Sequence, residues 1–213
     1  MPGSSISGNN QNRRLHFILA SSSPRRTWLL TQVGIEHEVI APTVDEHSDV
    51  PAEPGAHVRS LAERKALSVA SAHPDSLVLG ADTVVFHQGE ILGKPADFEE
   101  ACRMVKRLAG SEHEVYTGIA LAGPGDNTVE SSFEVTRVRF RPLDRKHIEL
   151  YVATREPFDK AGAYGIQGYG ATLVESVSGC YFNVMGLPLS RLIKMLENRG
   201  IDYPFGPLVD KSG

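Results

Sequence analysis

The stretch LVLGADTVVF, residues 77–86, decides the fold that the sequence predicts. It is rich in Val and Leu, and the turn residues His87-Gln88-Gly89-Glu90 follow it. This pattern is typical of a buried central strand that enters a hairpin. Asp82 interrupts the apolar run, and a lone carboxylate there costs several kcal/mol unless it is paired, hydrogen-bonded or bound to a metal. Asp82 is therefore a candidate site residue, with a buried structural acid as the alternative.

Helices and strands alternate on both sides of this central strand. Upstream, an apolar run at 15–20 precedes Ser23 and Pro24, which suit the N-cap and the first turn of a helix. Together the elements predict an α/β fold with a mixed sheet. The other predicted elements are a strand at 38–42, helices at 58–69, 97–110, 144–153 and 188–198, antiparallel strands at 114–122 and 130–140, and a hairpin of strands at 172–177 and 180–184.

Composition and net charge limit the classes of protein to which this chain can belong. The chain has 213 residues, of which 41% are hydrophobic and 23% are charged, values ordinary for a folded domain. We expect a single domain at 15–200, between tails at 1–14 and 201–213. The 22 basic and 26 acidic residues give a net charge of −4, which argues against a nucleic-acid polymer as partner.

The sequence contains no recognisable membrane, secretory or disulfide signal. Its apolar stretches are shorter than the roughly 20 residues needed to cross a bilayer, and residues 1–11 lack the basic start and apolar core of a secretory signal. Cys102 and Cys180 have no metal-ligand spacing and are too few for a disulfide scaffold. We therefore expect reduced thiols, no membrane partner and a cytoplasmic location.

The segment Ser23-Pro24-Arg25-Arg26 is a candidate phosphate site. The free backbone N–H groups and the dipole at the start of a helix favour an anion. The alternative is that Arg25 and Arg26 are ordinary exposed helix residues. Because cations are disfavoured at this end of a helix, a pair of arginines there indicates an anionic partner.

Three further charged residues are expected near Asp82. Lys65 falls on the same helical face as Val58 and Val69, so it is either a site residue or a lysine whose stem alone is buried. Lys94, in Gly93-Lys94-Pro95, follows the turn after the central strand and can return to Asp82. Glu46 supplies a second carboxylate from an acidic loop. Together these residues predict a site for a hard divalent cation and a triphosphate.

Other common catalytic motifs are absent from the sequence. The glycines at 89 and 93 do not form a Walker A loop, because Pro95 stands where a Ser or Thr should bind magnesium. The glycines at 162–170 do not form a dinucleotide fingerprint. There is no H-E-x-x-H pair for zinc and no G-x-S-x-G elbow for a serine hydrolase.

Five segments between residues 18 and 196 carry a family resemblance through their order and spacing. They are residues 20–26 (ASSSPRR), 80–84 (GADTV), 94–95 (KP), 159–168 (DKAGAYGIQG) and 183–188 (NVMGLP). Taken together they resemble the Maf family of nucleoside triphosphate pyrophosphatases. The resemblance implies an elongated α/β structure, similar to inosine triphosphatases, in which a twisted mixed sheet and flanking helices form two lobes around a deep cleft. Cys180 and Met185 depart from the expected Ser and Val of the last motif.

Within that family, residues 81–83 (ADT) and 164–168 (YGIQG) resemble the subgroup that acts on dTTP and UTP, as distinct from the subgroup that acts on 7-methyl-GTP. The resemblance therefore implies hydrolysis of these nucleotides to the monophosphate and pyrophosphate, as a house-cleaning activity. It also implies that Asp82 is the proton acceptor and that Arg25, Thr83 and Gln167 set substrate specificity. Ser23 and Arg26 complete the predicted substrate-binding set.

The resemblance places Glu46, Lys65 and Lys94 at metal- and phosphate-contacting positions. The implied cofactor is a divalent cation, Mg²⁺ or Mn²⁺, held by Asp82 and Glu46 with water and triphosphate oxygens completing its shell. Whether Asp82 acts as the base or mainly as a metal ligand stays open at this point.

Two other functions remain open on sequence alone. One is a nucleotide-binding regulator of cell division and septum formation, which slow turnover with tight binding would favour. The other is a house-cleaning pyrophosphatase for inosine or xanthosine triphosphate, against which the segments 23–26 and 165–168 argue. The expected partner in every case is a nucleoside triphosphate, and whether the chain forms a homodimer is left open.

Overall fold

The structure, a computed structural model, describes residues 13–46, 52–124 and 128–211. In this part of the chain, three short 3-10 helices lie between residues 156 and 173: Glu156–Asp159, Ala161–Ala163 and Gly168–Leu173. The strands and α-helices are, in order, β1 (Arg13–Arg14), β2 (Phe17–Ala20), α1 (Pro24–Gln32), β3 (Glu38–Ile40), α2 (Pro54–Ala70), β4 (Leu77–His87), β5 (Glu90–Leu92), α3 (Phe98–Leu108), β6 (Glu112–Ala122), β7 (Val129–Phe140), α4 (Arg145–Ala153), β8 (Val174–Ser178), α5 (Tyr181–Val184), α6 (Leu189–Asn198), β9 (Ile201–Asp202) and β10 (Val209–Asp210).

The central strand predicted from residues 77–86 is confirmed as β4. It lies inside a seven-stranded sheet with the order β3-β2-β4-β6-β7-β8, and β5 pairs with β4 as the predicted hairpin. β2 runs parallel to β3 and β4, whereas β4, β6, β7 and β8 pair antiparallel. The sheet is therefore mixed, as expected.

Helix α2 covers one face of this sheet at very short range. A Cβ atom on Gly80 of β4 would lie 2.1 Å from the Ala62 carbonyl oxygen, and one on Gly118 of β6 would lie 2.3 Å from the Val58 carbonyl oxygen. Only glycine permits this approach of backbone to backbone. The two glycines thus bring α2 directly onto the strand that carries Asp82.

The opposite face of the sheet carries two hydrophobic cores. In the first, Leu29 and Leu30 of α1 and Leu192 of α6 pack with Leu79. In the second, Val105 of α3 and Val152 of α4 pack with Val85 of β4 and with residues of β6 and β7. The two cores form two lobes on one sheet, which confirms the expected architecture.

The predicted hairpin at 172–184 is wrong in its second half. Val174–Ser178 forms strand β8, but Tyr181–Val184 is the short helix α5. The Asn183 side chain is fully buried and donates to the Val115 carbonyl and to Thr136 Oγ1, each at 2.9 Å. These distant contacts hold the segment in a helical turn despite its Tyr and Phe residues, which favour strands.

The two ends of the chain lie partly within the described residues. Residues 1–12 of the expected N-terminal tail are outside them, whereas Arg13 and Arg14 pair with β10. Ile201 and Leu208, in the segment expected as a C-terminal tail, are buried against the first core, and β10 also pairs with β9. In the described part of the chain, no helix has the length and apolar character of a membrane span.

Candidate active site

A cleft of about 1020 Å³ lies along the sheet between the two lobes. Strand β4, helix α1, helix α2 and the segment between α4 and β8 all contribute to its lining. The structure brings together there all nine residues predicted from the sequence: Ser23, Arg25, Arg26, Glu46, Lys65, Asp82, Thr83, Lys94 and Gln167.

The Lys65 ammonium group joins the two carboxylates of the site. Lys65 Nζ donates to Asp82 Oδ1 at 2.7 Å and lies 2.6 Å from Glu46 Oε1. The Lys65 side chain is only 7% exposed, so the interpretation of a lysine with a solvated end is wrong. Asp82 is thus tolerated in an apolar strand because it is paired and hydrogen-bonded.

The fold explains why these groups meet. Helix α2 packs onto Gly80, whose Cβ would lie 2.6 Å from the Ala66 nitrogen. Lys65 precedes Ala66, and Asp82 follows Gly80 on the same face of β4, because side chains alternate along a strand. The close packing of α2 therefore sets the Lys65 to Asp82 contact.

The electrostatics of Glu46 follow from its neighbours. Burial alone would raise the pKa of Glu46, but the hydrogen bond and charge of Lys65, with smaller effects of Lys94 and Arg26, hold that pKa below its ordinary value. Lys94 is exposed, yet its charge reaches Glu46 across the cleft. Lys94 therefore lines the same cleft as Glu46 and Asp82, and its contact with phosphate stays a prediction.

Arg26 is buried and organises the base of the cleft. Its guanidinium donates four hydrogen bonds, to the carbonyls of Gly186 and Ala81 and to the hydroxyls of Ser21 and Thr83. These contacts occupy most of its donors. Burial lowers the pKa of Arg26 to about 10, so it remains a cation at neutral pH, and its hydrogen-bond partners are all uncharged.

Thr83 belongs to the same network. Its hydroxyl accepts from Arg26 Nη2 at 3.1 Å and lies 2.9 Å from Thr117 Oγ1. Thr117 in turn donates to the Asn183 carbonyl at 2.9 Å. The structure therefore gives Thr83 and Arg26 a clear part in holding the cleft together, and their contact with substrate stays a prediction.

Arg25 reaches across the cleft. Its Nη1 atom donates to Asp159 Oδ2 at 2.8 Å, although the residues are 134 positions apart. Asp159 also accepts from Lys160 Nζ at 2.6 Å. Burial would raise the pKa of Asp159, but Lys160 and Arg25 hold it below its ordinary value. Ser23 precedes this helix in the N-cap position, without a capping hydrogen bond from its side chain.

Gln167 lies in a glycine-rich loop that lines the cleft. Sequence reasoning identified Gln167 but missed Glu156, Asp159 and Lys160, which also line the cleft. Asp159 and Lys160 begin the segment that carried the family resemblance, and that position was the available signal. No local signal identified Glu156, two of whose hydrogen-bond donors lie 13 and 14 residues farther along the chain.

Asp82 and Glu46 are the candidate ligands for a divalent cation, whose binding stays a prediction. Asp82 and Glu46 direct one oxygen each toward the same point, which Lys65 Nζ occupies at 2.7 and 2.6 Å. Among the described residues, no group of three or more His, Cys, Asp and Glu side chains could hold a metal. Two carboxylates with phosphate and water oxygens match the coordination that Mg²⁺ prefers beside a triphosphate.

The chain is similar to known proteins over most of its length. The family model described as Maf-like protein matches residues 16–199. A dTTP/UTP pyrophosphatase of Symbiobacterium thermophilum is 54% identical over 187 residues, which cover 88% of this chain and 94% of the relative. A dTTP/UTP pyrophosphatase of Halalkalibacterium halodurans is 50% identical over 188 residues, which cover 88% and 98% of the two chains.

A solved structure shares the fold at low identity. The Ham1 protein of Staphylococcus aureus aligns with a TM-score of 0.52 and 13% identity, covering 86% of this chain and 98% of its own. The fold therefore occurs in chains with very different sequences.

Proposed function

The chain belongs to the Maf-like protein family, and we propose that it hydrolyses dTTP and UTP to the nucleoside monophosphate and pyrophosphate. The observation that carries the proposal is the Lys65 ammonium shared by Asp82 and Glu46 in a cleft that also holds two arginines. The names of the relatives at 54% and 50% identity support the choice of substrate.

The cations of the cleft are suited to a triphosphate. Arg25, Lys94 and Lys160 line its walls, while Arg26 supplies a buried positive charge at its base. Fixed positive charges in a partly enclosed site stabilise the negative charge that develops on phosphate oxygens during transfer. In this proposal they bind the phosphates and the leaving pyrophosphate.

Asp82 is the group that we propose to act on the water. Lys65 donates to Oδ1 of Asp82, so the hydrogen bond fixes the carboxylate and leaves Oδ2 to act on the attacking water. Water then attacks the α-phosphorus, the bond to the bridging oxygen breaks, and pyrophosphate leaves. Asp82 accepts the proton of that water.

We also propose that the reaction uses Mg²⁺ or Mn²⁺. Asp82 and Glu46 would hold the ion through the carboxylate oxygens that Lys65 does not hold. When bound, such an ion neutralises phosphate charge and orients the triphosphate. If the reaction depends on the cation, chelation of the metal should abolish hydrolysis, which tests this part of the proposal directly.

Base selection is assigned in this proposal to Gln167, with Arg25 and Thr83 as the other specificity positions. The Gln167 amide offers donors and an acceptor, which match the O4 and N3–H edge shared by uracil and thymine. Cytosine reverses that pattern with its exocyclic amine. A site built to hydrogen-bond one edge discriminates strongly against the other.

A substrate panel tests the proposal. Pyrophosphate release is measured with purified protein and Mg²⁺ on UTP, dTTP, CTP, ITP, XTP and 7-methyl-GTP. We expect the highest kcat/KM for UTP and dTTP. A preference for ITP or XTP would instead identify the purine house-cleaning activity, and tight binding without turnover would identify a nucleotide-binding regulator.

Cell fractionation tests the cytoplasmic location that we include in the proposal. Light scattering on the purified chain decides between a monomer and a homodimer.

A further inference from the structure

Two of the three proposed specificity positions, Arg25 and Gln167, are attached to one short element. Arg25, on α1, bonds to Asp159. The loop that carries Gln167 bonds to Glu156. Glu156 and Asp159 are the first and last residues of the same 3-10 helix. This helix therefore links the position of Arg25 to that of the loop that carries Gln167.

The Glu156 carboxylate is the anchor of the Gln167 loop. Its Oε2 atom accepts from the Tyr169 N–H at 2.8 Å, and its Oε1 atom accepts from the Gly170 N–H at 2.9 Å. The Tyr151 hydroxyl lies 3.2 Å from Oε1 as a third donor. Hydrogen bonds to an ionised acceptor are among the strongest in proteins. The carboxylate thus accepts from N–H groups in the first turn of the 3-10 helix Gly168–Leu173, where such groups have no partner within the helix.

The glycines of the loop fit tightly around this anchor. A Cβ atom on Gly168 would lie 2.5 Å from Glu156 Oε2, and Gly168 has a φ of +66° that side chains rarely adopt. A Cβ atom on Gly170 would lie 2.1 Å from the Gly165 carbonyl oxygen. The loop therefore has little freedom to move while Glu156 holds it.

Tyr151 closes the same arrangement from helix α4. Its hydroxyl donates to Glu156, and the Gly165 N–H donates to it at 3.4 Å. Burial, followed by the charge of Glu156, raises the pKa of Tyr151. The hydroxyl therefore stays protonated and available as a donor. Gly165 and Gly170, on either side of Gln167, are both tied to this pair of side chains.

We propose that Glu156 is a positioning residue for base selection, which fixes Gln167 at the distance from the cleft at which it distinguishes uracil and thymine from cytosine. This inference rests on the proposed function. A carboxylate is required there because its partners are N–H and O–H donors, whereas a glutamine would turn its own NH₂ group toward one of them. A displacement of about 1 Å is enough to weaken such discrimination.

The test compares kcat/KM for UTP, dTTP and CTP in the full-length protein. For Glu156→Gln we expect the UTP to CTP ratio to fall by about tenfold or more, while kcat/KM for CTP changes by less than about threefold. Tyr151→Phe should lower the same ratio by less, and Glu156→Asp, which keeps both acceptor oxygens, should retain more of it than Glu156→Gln. Glu149→Gln, on the surface of α4 and paired with Arg145, is the matched control and should leave the ratio unchanged.

A purely structural role of Glu156 predicts a different result. In that case kcat/KM falls by one common factor for all three nucleotides, and the unchanged ratio overturns the inference. If Glu156→Gln fails to fold by circular dichroism, Tyr151→Phe and Glu156→Asp decide in the same way. A wild-type protein that hydrolyses neither UTP nor dTTP defeats the proposed function itself. A wild-type preference that persists in these variants defeats only the role of Glu156.

Discussion

Lys65 Nζ lies 2.7 Å from Asp82 Oδ1, and the two side chains are 7% and 12% exposed. Breaking a buried pair by removing one partner leaves an uncompensated charge in a medium of low polarity. The contact joins α2 to β4, so it belongs to the packing of the fold as well as to the cleft. The same contact fixes the carboxylate that we propose to accept the proton of the attacking water.

Replacement of Lys65 by Met should reduce kcat/KM for UTP by about 10–100-fold, because a charge-assisted phosphate contact contributes about 1.5–3 kcal/mol. Loss of the ammonium also removes the main group that lowers the pKa of Glu46, so that pKa should rise. Steady-state kinetics and a titration followed by NMR measure the two effects. Lys146→Met, at an exposed position in the first turn of α4, is the control. Parent-like kinetics in Lys65→Met would show that the triphosphate binds elsewhere.

The metal proposal predicts a specific effect of Glu46→Gln. The variant loses one of the two carboxylates proposed to hold the ion, so the Mg²⁺ concentration for half-maximal activity should rise about tenfold. Activity at saturating Mg²⁺ should fall less. Chelation with EDTA should abolish turnover in the parent, and added Mn²⁺ should restore it. Full activity in EDTA would remove the metal from the account.

Burial of His113 predicts a pH dependence of stability. Its Nε2 atom lies 2.7 Å from the Tyr164 hydroxyl, and burial, with the charge of His87, lowers the pKa of His113 from 6.5 to about 3. Between these pH values the unfolded chain binds one more proton than the folded chain. The stabilisation is therefore complete above pH 6.5 and is lost as the pH falls toward 3.

Denaturant unfolding at pH 7.5 and pH 5 measures this effect. The parent should lose about 2 kcal/mol more stability over this interval than His113→Gln, which has no titrating group there. Equal losses in the two proteins would show that His113 is free to protonate in the folded state.

Gln167→Ala should reduce the preference for UTP and dTTP over CTP more than it reduces triphosphate hydrolysis in general. The reason is that loss of the amide removes hydrogen bonds to the base and leaves the phosphate contacts in place. Ratios of kcat/KM across the three nucleotides measure the preference. Unchanged ratios would remove Gln167 from base recognition without affecting the assignment of the metal and phosphate residues.

Much of this fold could be predicted because local signals agree with the tertiary structure. The Val- and Leu-rich run gives β4, and Asp97 caps α3 by accepting from the Glu100 N–H at 2.8 Å. The lone Asp82 in an apolar strand and Lys65 on an apolar helix face each indicated a partner, and they partner each other. Such mismatches between residue and surroundings are strong signals from sequence.

The remainder depended on contacts between distant residues. The turn of α5 is set by Asn183, whose partner Thr136 lies 47 positions away. The pairing of β10 with Arg13 and Arg14 joins the two ends of the chain, and no local pattern encodes it. The sequence also could not show that the Arg26 guanidinium faces the protein interior rather than solvent. Most of its N–H groups donate to buried acceptors, among them the carbonyls of Gly186 and Ala81.

The most direct test of the central claim is product analysis of UTP hydrolysis in ¹⁸O-labelled water by ³¹P NMR, for the parent protein and for Asp82→Asn. The account predicts equal amounts of UMP and pyrophosphate, with the label in UMP, because water attacks the α-phosphorus. It also predicts that Asp82→Asn folds normally and turns over at least about a hundredfold more slowly, since it can neither accept the proton nor supply the full charge. Release of UDP and phosphate, label in pyrophosphate, or parent-like turnover by Asp82→Asn would contradict it.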